Sequence, residues 1–110
     1  MSIMMSDSLR DIVSIGQLTG ETSSLTLVMD GEDRNFDMLS FTRDKTHIRA
    51  LAFATREEVL KALKANSVKA TITFEGVNIG SGTVICVGYE PVTLGDLVHD
   101  TMLVHIKRDT

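Results

Sequence analysis

Residues 55–75 read Thr-Arg-Glu-Glu-Val-Leu-Lys-Ala-Leu-Lys-Ala-Asn-Ser-Val-Lys-Ala-Thr-Ile-Thr-Phe-Glu, and the change of period inside this stretch decides the fold class. Thr55 and Glu58 have the spacing of a capping box, in which the Thr55 hydroxyl accepts from the Glu58 N–H and the Glu58 carboxylate reaches back to the Thr55 N–H. Val59, Leu60 and Leu63 follow as an apolar stripe, Glu57 and Lys61 pair at i,i+4, and Lys61 and Lys64 sit where the helix dipole favours cations. Asn66 ends the helix. At roughly ten residues it is too short to stand alone, so Leu60 and Leu63 are expected to dock on a sheet. From Val68 the period becomes two: Val68, Ala70, Ile72 and Phe74 point one way and Lys69, Thr71, Thr73 and Glu75 the other, as in a half-buried strand.

Nearly everything else reads as strand. Ile12, Val13 and Ile15 place a strand over Asp11–Thr19, after a loose terminus over residues 1–10. Leu25, Leu27 and Met29 alternate up to Asp30-Gly31, a turn signal, and Phe36 and Met38 resume the pattern, giving a hairpin. His47–Ala54 alternates again. Gly76–Gly82 reads as a turn-rich connection. Thr83–Tyr89 is apolar on both faces and uncharged, which places it in mid-sheet and makes Cys86 a buried small hydrophobe. Beyond Pro91, Thr93–His99 is expected to form a short helical turn and Thr101–Lys107 a last strand.

The connections are too short for parallel crossovers, so the expected fold is α+β in a single domain over 11–110. It is a mostly antiparallel sheet or a small, partly closed barrel with one packed helix. In element order it resembles the oligonucleotide/oligosaccharide-binding (OB) barrel, a resemblance of architecture that no residue motif extends to function.

The 110 residues carry 15 acidic against 11 basic side chains, a net charge of −4, so no overall field draws nucleic acid or an anionic membrane. A single cysteine excludes an intramolecular disulfide and a multi-thiolate zinc cage. No secretion signal and no membrane-length apolar run is legible, and the expected location is the cytoplasm.

Motifs for catalysis are weak. The glycines of Gly76–Gly82 run into a strand, whereas a phosphate-binding loop needs a helix after it. His99, Asp100 and His105 form the nearest thing to a polar cluster, with the imidazole and carboxylate that general base chemistry or a metal would use. On a strand, however, His105 lies opposite Val104 and Ile106 and reads as a solvated side chain. The balance is against an enzyme, and no cofactor or metal is expected.

The expected function is a non-catalytic module that binds a protein partner or its own copy. Self-association is expected through a terminal strand: Asp11–Thr19, or Thr101–Lys107 with Met102, Val104 and Ile106 in the seam. The second reading is an OB-like single-stranded nucleic-acid binder using Arg43, Lys45, Arg49 and Lys69, and the third is a small enzyme built on His99, Asp100 and His105.

Overall fold

The computed structural model describes residues 23–109. The elements run β1 (Ser23–Met29), β2 (Glu32–Arg43), β3 (His47–Phe53), α1 (Arg56–Lys64), β4 (Val68–Phe74), β5 (Val77–Tyr89), β6 (Val92–Leu94), β7 (Leu97–His99) and β8 (Thr101–Arg108). The expected loose terminus and the strand over Asp11–Thr19 lie outside the described residues. Six strands close an antiparallel barrel in the order β1-β2-β3-β8-β5-β4, while β6 and β7 pair separately. The α+β class, the barrel and, among the described residues, the one helix are as the sequence implies.

Turn chemistry sets the hairpins. Asp30 and Gly31 both have positive φ (51° and 88°), as the tight turn between β1 and β2 requires. The Asp30 carboxylate also accepts from the N–H groups of Asn66 and Ser67 at 3.1 and 3.2 Å, anchoring the chain that leaves α1. The acidic turn thus has a structural task.

Alternation fills the barrel. Leu25 lies between Phe36 and Ile72 across the ladders, and Ile48 and Ala50 face Ile106 and Val104. Leu25, Leu27, Ala50, Ala52, Met102, Val104 and Ile106 are fully buried. Small residues let the wall close: a Cβ on Gly80 would lie 2.7 Å from the Ile48 side chain, and one on Gly82 would collide with the main chain of Lys107 and Arg108.

Four sequence expectations need correction. Gly80 to Gly82 belong to β5, because the turn is completed by Glu75 and Gly76, both at positive φ. Residues 92–99 form the β6–β7 hairpin rather than a helical turn, with Gly95 at positive φ between its strands. The C-terminal strand is no edge: β8 pairs with β3 on one side and β5 on the other. Finally, α1 buries Val59 and Ala62, leaving Leu60 and Leu63 half exposed. The capping box forms as read, with Thr55 N–H donating to Glu58 Oε1 at 2.8 Å and Glu58 N–H to Thr55 Oγ1 at 3.2 Å. The register of the buried face differs because alanine at position 62 lets the helix approach the barrel closely, which leucine there would prevent.

Candidate functional site

The feature that stands out begins with unequal strand lengths. β5 has 13 residues and β4 only 7. Their ladder runs from Phe74↔Val77 to Lys69↔Thr83 and stops where β4 begins. The remaining residues, Val84–Tyr89, pair with β8 alone. Among the described residues no strand pairs with their other side, so a row of main-chain N–H and C=O groups lies open there.

Helix α1 runs beside this open edge and makes it one wall of a groove. Ala62, Leu63, Ser67 and Val68 form one side, and Val84, Ile85 and Val87 the other, around about 440 Å³ of space. A register shift between Val84 and Cys86 is a β-bulge that turns Ile85 outward, leaving it 54% exposed. Leu63 also borders a second hollow with Val59, Leu60, Arg56 and Tyr89, so two hollows that meet at Leu63 make up the trough beside the strand. Leu60 and Leu63, at 50% and 54% exposure, show it their side chains instead of packing under the helix.

The far end of the trough is polar. The Arg56 guanidinium sits 5.1 Å from the centre of the Tyr89 ring, and the Tyr89 hydroxyl donates to Asp100 Oδ1 at 2.6 Å. Tyr89 first, and then Asp100, raises the Arg56 pKa, so the cation is retained. Cys86, expected in the core, is exposed in the groove wall.

The other sequence candidates are scattered. Asp100 is engaged by Tyr89, His99 stands edge-on to Phe53 at 5.7 Å, and His105 lies on the outer barrel face, 5.6 Å from the ring of His47. Asp100 and His105 are separated by five residues of extended chain, roughly 16 Å, so the three do not converge on one point. Among the described residues no group of three His, Cys, Asp or Glu side chains has metal-binding geometry. Met102, Val104 and Ile106 line the barrel interior with no exposed surface; the seam assigned to them presupposed an edge strand.

Arg43 reaches across the barrel end to donate to the Ile79 carbonyl, and Lys45 is exposed in the β2–β3 turn. Arg49 stands beside His105 across the ladder, and Lys69 donates to Thr83 Oγ1 at 2.8 Å. The open edge and its trough were not among the sequence candidates. Their only sequence trace is a long uncharged run from Val77 to Tyr89, following a strand too short to cover it.

Among the described residues no helix is long and apolar enough to cross a membrane. Compared with protein-family models, curated proteins and solved structures, the chain finds no match.

Proposed function

We propose that this domain is a non-catalytic binding module that takes an extended segment of a partner protein as an added strand against Val84–Tyr89. The observation that carries this reading is the unpaired half of β5 lying beside half-exposed Leu60, Leu63 and Ile85. Strand addition divides the labour: main-chain hydrogen bonds give affinity that any sequence can claim, and the hollows beside the edge select the side chains. Six strand residues span roughly 20 Å, room for a segment of similar length with alternate side chains directed into the trough. The lining calls for aliphatic side chains, and Arg56 at the Tyr89 end adds preference for an acidic group there.

Selection from a displayed library of random peptides, roughly eight residues long, tests the proposal. The expected result is enrichment of segments with aliphatic residues at every second position. Their binding should weaken at least about tenfold in Leu63→Glu and in Ile85→Lys, and after alkylation of Cys86. These side chains are exposed, so the fold should survive each change. Failure to enrich any peptide, or binding indifferent to all three changes, would overturn the reading.

A further inference from the structure

On the outer wall that adjoins the trough at Thr83 and Cys86, the ladder registers bring together basic side chains that are far apart in the sequence. His47 on β3 lies opposite Lys107 on β8, Lys107 opposite Thr83 on β5, and Thr83 opposite Lys69 on β4. The adjoining row is Arg49, His105 and Cys86. His47, Arg49, Lys69, His105 and Lys107 each neighbour core residues along their strands, Lys69 Nζ meets Thr83 Oγ1 at 2.8 Å, and Cys86, beside the bulge at Ile85, is exposed, so both rows belong to the outer barrel surface. Four strands at about 4.8 Å spacing make a band roughly 14 Å long and only two residues deep.

Among the described residues most acidic side chains lie elsewhere. On the outer face of β2, Asp33 and Asp37 neighbour Val28 and Ser24, on the far side of β1 from Lys69. Two carboxylates border the band: exposed Asp109, which lies two positions beyond Lys107 and donates its N–H to the Ser81 carbonyl at 2.9 Å, and Asp44, which accepts from the N–H groups of Thr46 and His47, both at 2.8 Å, and from the Thr46 hydroxyl at 3.1 Å. These bonds hold its pKa below the ordinary value. A protein of net charge −4 thus keeps a local band of cations among its described residues.

The outline of the band identifies its ligand class. It carries cations and hydroxyl or imidazole donors in a line, but no Phe, Tyr or Trp on which a base could stack. We infer that this face, formed by His47, Arg49, Lys69, Thr83, His105 and Lys107, binds the phosphate backbone of a single-stranded nucleic acid without reading its bases. A band this narrow engages one backbone, and a duplex would present its second strand to surface with nothing to meet it.

Acidification strengthens the contact. The groups facing His105 are Arg49 and His47 on β3, Lys107 on its own strand, Cys86 on β5, and Asp44 in the turn. Partial burial first, then Arg49 and His47, hold the His105 pKa below the ordinary value, against a small opposing pull from Asp44. A phosphate set among these cations removes their mutual repulsion, so binding takes up protons and grows tighter as pH falls.

The test is fluorescence anisotropy of a labelled oligothymidylate, roughly fifteen nucleotides long, against the full chain. Three or four phosphate contacts predict a loss of about 20- to 50-fold in affinity between about 50 and 200 mM salt. Arg49→Gln and Lys107→Gln should each weaken binding and flatten the salt dependence, by about 0.7 in logarithmic slope. The pair Lys61→Gln and Lys64→Gln, an equal charge change on the helix, should leave binding unaltered. Affinity should be higher at about pH 6 than at about pH 8, and His105→Gln should remove that difference. No saturable binding at the lowest salt, equal loss in the helix variants, or tighter binding of a duplex of the same length would each overturn the inference.

Discussion

The two halves of β5 share one strand and have opposite fates. Val77–Thr83 is paired with β4 along its length and with β8 as well at Gly82 and Thr83, and its glycines are pressed against neighbouring chain. Val84–Tyr89 is held on one side, is bulged at Ile85, and shows its thiol and aliphatic side chains to a trough. The first half closes the barrel, and three further contacts fasten that end: Arg43 to the Ile79 carbonyl, Asp109 N–H to the Ser81 carbonyl, and Arg108 Nη1 to the Asp44 carbonyl. Once those residues have sealed the core, the second half is released from that task. It can keep an open edge because stability is secured elsewhere in the same strand.

The glycines of the two halves break or uphold this contrast most directly. Gly82→Ala sets a Cβ against the main chain of Lys107 and Arg108, which cannot turn aside as a flexible side chain would, and should cost about 3 kcal/mol or more. Gly88→Ala meets nothing within 4 Å and should change stability by no more than about 0.5 kcal/mol. Denaturant melts of both variants decide it. Similar losses would mean that the second half is as tightly enclosed as the first.

The helix bordering the trough gives a smaller contrast. Val59 is 2% exposed, and Val59→Ala should cost roughly 1.5 to 3 kcal/mol through lost burial and an incompletely closed cavity. Leu63→Ala, at an exposed site, should cost less than about 1 kcal/mol. The apolar stripe alone predicts the large loss at Leu63, so the order of the two melts distinguishes the two helix registers.

Much of the architecture could be read from residues 55–75, since the capping box at Thr55 and the alternation from Val68 depend on neighbours close in sequence. The Asp30-Gly31 turn could be read for the same reason. Misreadings arose where distant geometry decided. Leucine outranks alanine in transfer free energy, yet at the barrel mouth the restricted space favours Ala62. Thr83–Tyr89 is apolar enough for mid-sheet, but the ladder beside it ends at Lys69, a fact of relative strand length that no local pattern carries. The basic band is similar: Arg49, Lys69 and Lys107 become neighbours only through ring order and register. Arg49 and Lys69 were legible as exposed cations, whereas their company was not.

Cys86 tests the open half without altering the fold. An exposed thiol on an edge should react with a disulfide reagent in the native protein at a rate close to that of the denatured chain. A buried thiol would wait for unfolding and react orders of magnitude more slowly. Protection in the full chain would show that something covers the edge, and protection that appears only when a selected peptide is added would place the peptide in the trough.

The smallest effect is expected at the fastened end, where Asp44 caps the β2–β3 turn. Its carboxylate accepts from the Thr46 and His47 N–H groups, and these bonds, the Thr46 contribution first, lower its pKa from the ordinary 3.8. A carboxyl group whose folded pKa is depressed contributes stability that is present above the unfolded pKa and lost as pH falls through the folded one. Wild-type protein should therefore be slightly more stable than Asp44→Asn at neutral pH, by an amount constant down to the ordinary carboxylate range. Below 3.8 the difference should shrink and then vanish as the native carboxylate takes up its proton. Thermal melts of the two proteins from neutral pH to about pH 2.5 measure it. Because the group is exposed, solvent screens its charge and the effect stays small beside those of Gly82 and Val59. A gap that persists unchanged in acid would assign the turn's stability to the shape of the side chain rather than to its charge, and the fastening of this end would then owe nothing to electrostatics at Asp44.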